Sequence, residues 1–380
     1  MATKRDLHEE DLEKKDATME DRLTNLPEDL KLCILSSLDT KHAVLTSILS
    51  KSWLPLWTRI PVLEFNYFAF RQLPGFQDFV KQLLCLRDQT AKLQRLSLTG
   101  IGTCDVKFIK NFLDYAFNHS VEELEVKICQ ICKYHSWPVY LNTFCDSLKS
   151  LKLQSVIEMS CPFLGAISRF KNLRVLYLQR ALITNLEPFL GFPVLEKLTL
   201  ANCDINTMGK TLSVHGPNLS YLKISDCRSF NCCELTTPNL RFFVYHGSDF
   251  PQLRAYGLGL PVLDTISLDF HPDGDMKKKR NFDDVMSLLC VLRSAKSIRL
   301  FSYVLYLLSS FQDELVGRSS PFQKLESSLV LYYGHDLQSF RIAWNVKGYL
   351  EKNSPDAKFT LIDHDADKYF WLRNCDYDFF

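Results

Sequence analysis

Residues 195–227 read LEKLTLANCDINTMGKTLSVHGPNLSYLKISDC. One pattern occurs twice here: an apolar residue, two variable residues, Leu, one variable residue and another apolar residue. The copies start at Leu195 and Leu219, and each carries a cysteine at its ninth position, Cys203 and Cys227. The pattern extends outward in both directions. Upstream it runs as LQRLSL from Leu93, VEELEV from Val121, LKSLKL from Leu148 and LRVLYL from Leu173. Downstream it continues as LRFFVY from Leu240 and LDTISL from Leu263, then as a weaker AKSIRL from Ala295 and a frayed LESSLVL near Leu325. The first eight copies start 28, 27, 25, 22, 24, 21 and 23 residues apart, and the ninth follows after 32. One match would mean little in a Leu-rich chain, but eight in tandem at a near-constant period are a strong signal.

A period of this length with this core is the signature of leucine-rich repeats. Each copy is one short strand, with its apolar residues turned inward and the intervening residues outward. A single repeat cannot bury its own core, whereas stacked neighbours can. The fold class expected is therefore an α/β repeat: a solenoid with parallel strands on its concave face. The returns over Phe108–Phe117 (FIKNFLDYAF) and Phe282–Leu292 (FDDVMSLLCVL) have helical spacing. Others, such as NLEPFLGFP before Leu195, are too short for much helix, so an irregular convex side is expected. The ninth position, Cys129, Cys203 and Cys227 in three copies, suits a small buried thiol.

With 380 residues the chain is long enough for an elongated array. Its net charge of +1 gives no global field toward nucleic acid or a membrane surface. The thirteen cysteines are odd in number and spread along the chain, which fits free thiols in a reducing compartment rather than a disulfide framework. The first twenty residues are charged and lack an apolar core, as neither a signal peptide nor an anchor would. The cytoplasm, the nucleus or both are the expected location.

Ahead of the repeats, Asp21–Trp57 reads DRLTNLPEDLKLCILSSLDTKHAVLTSILSKSWLPLW. Asn25 or Thr24 can cap a helix with Pro27 in its first turn. Leu26, Leu30, Ile34 and Leu38 then form one apolar stripe. Residues 38–41 break this helix and a second runs from about His42 to Ser50. So short a unit carries more apolar surface than it can bury alone; either the rest of this chain covers the remainder, or another protein does, which would make the unit a docking module.

The stretch resembles the F-box of the plant F-box/leucine-rich-repeat family. The matching features are Asp21-Arg22-Leu23, Leu26-Pro27, Ile34-Leu35-Ser36, Leu38, Thr40-Lys41, Ala43-Val44, Thr46-Ser47, Leu49-Ser50-Lys51 and Trp53 with Leu56-Trp57. Leu45 and Ser52 depart from it, standing where the family usually has Arg. The resemblance implies a non-catalytic substrate receptor of a Skp–cullin–F-box (SCF) ubiquitin ligase. It would dock on a Skp-type adaptor, and through it on cullin and RING subunits. The adaptor-contact residues implied are Leu26, Pro27, Ile34, Leu35, Leu38, Val44 and Trp53. The domain layout expected is a disordered charged tail over 1–20, the F-box over 21–60, a connecting strand and helix over 61–92, repeats over 93–335 and a cap over 336–380.

The outward strand residues change character along the array. Early copies present ordinary polar residues, whereas the middle copies present Tyr177, Lys197, Tyr221, Lys223, Phe242 and His246. Aromatic and apolar residues at positions that should be wet suggest a contact patch for a protein substrate. The alternative is that a return loop or the C-terminal segment covers them. Lys277-Lys278-Lys279-Arg280 reads either as a nuclear-import signal or as a solvated loop. Nothing in the sequence carries H-E-x-x-H, a phosphate-binding loop or G-x-S-x-G, so no catalytic residue is expected. Cys129 and Cys132 spell C-x-x-C, but no second pair completes a zinc site, so neither metal nor cofactor is expected. Two further readings stay open: a small-molecule sensor using a concave pocket, and a scaffold that binds the adaptor without degrading anything.

Overall fold

The computed structural model describes residues 23–363, apart from 24, 49–50, 70–72, 102–105, 129–135, 139–144, 157, 162–163, 165–169, 249–250, 272–278, 323–324, 326–327, 334–343, 345 and 355–356. The charged tail, the Cys129/Cys132 pair, Lys277 and Lys278 lie outside the described residues.

Twelve strands form one sheet in chain order. They are β1 (Val62–Asn66), β2 (Arg95–Ile101), β3 (Glu123–Ile128), β4 (Ser150–Ser155), β5 (Val175–Gln179) and β6 (Lys197–Ala201), followed by β7 (Tyr221–Ser225), β8 (Phe242–Gly247), β9 (Thr265–Phe270), β10 (Ser297–Leu300), β11 (Ser328–Tyr333) and β12 (Phe359–Asp363). Every neighbouring pair is parallel. From β2 to β10 each strand begins at the third residue of its copy. The fourth and sixth residues, such as Leu198 and Leu200 or Leu222 and Ile224, are fully buried. This is the inward half of the strand alternation.

Register is held by a hydrogen bond repeated at each step. The amide before a strand donates to the carbonyl of the equivalent residue one copy earlier: Glu122 to Gln94, Lys149 to Glu122, Arg174 to Lys149, Glu196 to Arg174 and so on to Lys296, all within 2.7–3.0 Å. Asparagines add a second rail. Asn172, Asn218 and Asn239 each precede the first Leu of a copy and donate through Nδ2 to carbonyls of Asp146, Pro193 and Pro217. The exit from each strand is also shared. The eighth residue of three copies, Arg180, Asn202 and Asp226, has a φ of 58°, 52° and 50°, a left-handed turn that Asn and Asp tolerate well. It returns the ninth side chain to the core, where the Cys203 and Cys227 thiols meet carbonyls of Leu178 and Leu200.

Three expectations need correction. The sheet begins one strand earlier than the first counted copy, because Ile60, Leu63 and Phe65 supply the same buried triad. The returns are more ordered than expected. Ser136–Pro138, Glu158–Ser160, Ala181–Ile183 and Asp204–Ile205 form a second parallel sheet, and Thr211–His215, Cys232–Thr236 and Gln252–Ala255 a third. A stacking step that suits one strand per copy suits a second, since both need neighbours about 4.8 Å apart. Cys232 and Cys233 open one of these return strands. Among the described residues, helices fill the longer returns: Leu73–Leu86, Val106–Asn118, the pair Ser302–Ser310 and Gln312–Val316, and Lys279–Val291. Lys279 opens the last of these, paired with Glu314 and lying over the Phe282 ring, so it is not part of a solvated loop.

Candidate functional site

The N-terminal module is built from α1 (Glu28–Ser36), α2 (Thr40–Leu45) and two 3-10 turns, Thr46–Ile48 and Leu56–Arg59. Pro27 is itself the N-cap residue of α1, and no side chain caps that end. Neither Asn25 nor a first-turn Pro27 plays the role expected. α2 starts earlier than expected and is capped by Asp39, whose carboxylate accepts from the His42 amide at 2.9 Å.

α1 separates its apolar residues onto two faces. Leu35 is fully buried and packs with Ala43, Trp53, Leu56 and Ile60. The aliphatic stem of Lys31 joins this face, with its Nζ 5.9 Å from the Trp53 ring centroid. Leu30, Ile34 and Leu38 lie on the other face, exposed by 52%, 40% and 37%. Pro27 is exposed beside them and Leu26 is half-buried. Leu45, Ile48 and Leu54 are further exposed apolar residues of the module.

This division sets Leu35, Trp53 and Val44 apart from the other four adaptor-contact candidates. Leu35 and Trp53 are 0% and 3% exposed and form the module's own core, so they can only hold the outer face in place. Val44 packs against the core of the repeats. Leu26, Pro27, Ile34 and Leu38 remain available, and Leu30 joins them.

The module is joined firmly to the array. The hydroxyl of buried Thr40 accepts from the Glu64 amide of β1 at 2.6 Å. Arg87, also buried, donates to the carbonyls of Ile60, Asp88, Ala91 and Lys92. Trp57 packs on both cores. A buried guanidinium whose two terminal nitrogens are held by main-chain carbonyls fixes the chain path at the junction, although its Nε is buried without a partner. Nothing in the sequence around Arg87 announces it.

On the concave sheet, register places Lys197, Tyr221 and Phe242 side by side in one rung. Lys223 sits in the next, between Thr199 and Val244, and Tyr177 faces the same Thr199 from the other side. The Tyr221 and Phe242 rings are 6.5 Å apart and half-buried, and Arg241 lies 5.9 Å from the Phe242 centroid. Five of the six candidates thus fall on two adjacent rungs of neighbouring strands.

The sixth differs. His246 lies near the end of its strand, one rung further on, between Ser225 and Asp269, and is only 9% exposed. Its Nδ1 lies 2.6 Å from Asp269 Oδ2 and its Nε2 3.5 Å from Asp226 Oδ1. His271 stacks on it with ring centroids 4.5 Å apart, and His271 Nε2 lies 3.1 Å from the same Asp226 oxygen. His246 therefore belongs to a polar cluster at the strand ends rather than to the open patch. Asp226, Asp269 and His271 were missed. Their signal was acidic and imidazole residues at the seventh to ninth positions of adjacent copies, His271 standing where other copies have Cys.

Three of the buried thiols fit a packing role. Burial pushes the Cys161, Cys227 and Cys233 thiols well above the ordinary range, which fits packing rather than redox work. Two clefts of about 160 and 740 Å³ lie toward the C-terminal part, around Leu315, Val346 and Tyr349, and around Met286, Cys290 and Tyr349. Neither is lined by a concave candidate. Among the described residues no helix is long and apolar enough to cross a membrane.

Comparison with known proteins accords with this geometry. An F-box domain model matches residues 23–65, and a model described as "At1g61320/AtMIF1, LRR domain" matches residues 85–271. The chain is 32% identical over 230 residues to the F-box/FBD/LRR-repeat protein At2g04230 of Arabidopsis thaliana, covering 57% of this chain and 50% of that one. It is 26% identical to the F-box/LRR-repeat protein At3g26922 (56% and 78% covered) and 28% identical to the F-box protein At3g03040 (90% and 75% covered), both from the same plant. The chain spans about half the length of the first curated relatives it matches. With a helical F-box joined to a parallel-strand solenoid, and relatives that carry the same pair, the chain belongs to the plant F-box/leucine-rich-repeat family.

Proposed function

We propose that the chain is the substrate-recognition subunit of an SCF-type ubiquitin ligase. Its F-box docks on a Skp-type adaptor, and its concave sheet holds a protein substrate near the ligase's catalytic parts in the cytoplasm or nucleus. The observation that carries this is the outer face of α1. The module's core is already closed by Leu35, Ala43, Trp53, Leu56 and Ile60, yet Pro27, Leu30, Ile34 and Leu38 remain in water. A contiguous apolar strip of this kind favours a partner surface. The adaptor contacts assigned are Leu26, Pro27, Leu30, Ile34 and Leu38. The substrate contacts assigned are Tyr177, Lys197, Tyr221, Lys223 and Phe242, since half-buried aromatics flanked by cations suit anchoring of a polypeptide. The chain itself does no chemistry in this scheme.

Reconstitution tests it. The chain, a Skp-type adaptor, cullin and RING subunits are combined with a substrate identified by proximity labelling under proteasome inhibition. Ubiquitin transfer should require the chain and should fall at least roughly tenfold with Tyr221→Ala/Phe242→Ala, the loss of two aromatic hot spots. Transfer that proceeds without the chain would overturn the receptor role. Undiminished transfer by the double variant would reject the concave patch.

A further inference from the structure

We infer that Asp226, His246 and His271 form a binding site for a divalent transition-metal cation of the zinc class. It lies where strands β7, β8 and β9 leave the concave sheet. The inference is independent of the ligase reading.

Three observations converge. The first is the donor set. Two imidazoles and one carboxylate, each offering a ligand atom, lie within 4.8 Å of one another, the one such group of three among the described residues. Imidazole nitrogen with carboxylate oxygen is the combination that borderline divalent cations prefer.

The second is spacing. Asp226 Oδ1 is 3.1 Å from His271 Nε2 and 3.5 Å from His246 Nε2. Ligands about 2.1 Å from a tetrahedral metal are separated by roughly 3.4 Å, so a cation fits the two Asp226 edges with shifts of a few tenths of an ångström, while the two imidazole ligand atoms, which lie within 4.8 Å of each other, close toward it on binding.

The third is the surrounding shell. Asp269 Oδ2 holds His246 Nδ1 at 2.6 Å. The imidazole is thereby oriented with Nε2 toward Asp226, the carboxylate–histidine arrangement typical of metal-binding histidines. Meanwhile His246 Nε2, His271 Nδ1 and Asp269 Oδ1 are buried with no hydrogen-bond partner. Orphaned buried polar atoms are rare, and among these His246 Nε2 is itself a proposed ligand atom, so its unpartnered position facing Asp226 is the one that points to an ion or its water.

The backbone prepares the site. Asp226 occupies the left-handed exit turn of its copy, and its amide donates to the His246 carbonyl at 2.7 Å. The His271 amide donates to the Gly247 carbonyl at 3.0 Å. The three ligands therefore come from three consecutive repeats on a rigid frame, and a bound cation would staple these repeats together. Further coordination positions are left to water or to a donor from outside the chain.

The test uses the full chain, stripped with a chelator and titrated with Co²⁺ and then Zn²⁺. The expected result is one Co²⁺ per chain, with visible ligand-field absorption and no thiolate charge-transfer band, displaced by Zn²⁺. Asp226→Asn, in which Asn keeps the left-handed turn, and His271→Ala should each weaken binding at least roughly 100-fold with an unchanged circular-dichroism spectrum. Asp269→Asn should weaken it by roughly 10–100-fold, the usual effect of losing such a supporting group. Absence of uptake, uptake unchanged in a folded Asp226→Asn or His271→Ala protein, or a thiolate-dominated spectrum that moves the ligands to the cysteines would each overturn the site.

Discussion

At the scale of single residues, Ile34 and Leu35 are adjacent and equally apolar, yet one faces water and the other closes a core. Periodicity along α1 places them on different faces but cannot say which face is inside. Trp53, eighteen positions after Leu35, decides that by packing on Leu35 and Lys31. The two faces make opposite predictions. Leu35→Ala should cost about 2–5 kcal/mol, as buried Leu truncations do. Leu30→Ala should change stability by no more than about 0.5 kcal/mol, as exposed substitutions do. Urea unfolding of the two variants checks this, and a reversed order would mean that the faces are misassigned. Arg87 shows the other limit of sequence reading. A charged residue near a helix end looks like surface, and only the folded junction shows four carbonyls converging on it.

At the scale of the element, the concave strands were legible because their signal is redundant. Eight copies repeat one apolar pattern, and each strand begins at the same position within it. The return strands were not legible. Segments such as Glu158–Ser160 and Ala181–Ile183 are three residues long, too short for alternation to register, and they gain order only from neighbours supplied by stacking. The strands are also tied by charge across copies. Lys149 and Lys92 bond Glu122 at 2.8 and 2.6 Å and hold its carboxyl down at about 2. Its unfolded value lies near 4.5. The stabilisation from Glu122 is therefore complete above that pH and is lost as pH falls toward and through about 2. Glu122→Gln should remove that part of the acid sensitivity. If the variant and the parent lose stability in parallel from pH 4.5 downward, Glu122 is not coupled to folding in this way. On the candidate site, sequence grouped His246 with the aromatic patch because the seventh position faces outward. It could not show Asp226, Asp269 and His271 closing around it, since they come from different copies.

At the scale of the whole molecule, the F-box and the repeats are one continuous object. Ile60 belongs to the core of the module and begins the first buried triad of the array. Thr40 is bonded to β1, and Trp57 packs on both cores. A partner held on the outer face of α1 is thus held at a fixed relation to the concave sheet, as a receptor that positions its cargo requires. The inner residues Leu35, Trp53 and Val44 support that geometry from behind. The account stands on whether the exposed strip is a docking face, and calorimetric titration of the purified chain with a Skp-type adaptor tests this most directly. The parent chain should bind one adaptor, and Leu30→Glu/Ile34→Glu should lose at least roughly 100-fold in affinity, more than 2.7 kcal/mol of binding, while its melting temperature stays unchanged. No binding by the parent, or undiminished binding by the double variant, would contradict the account.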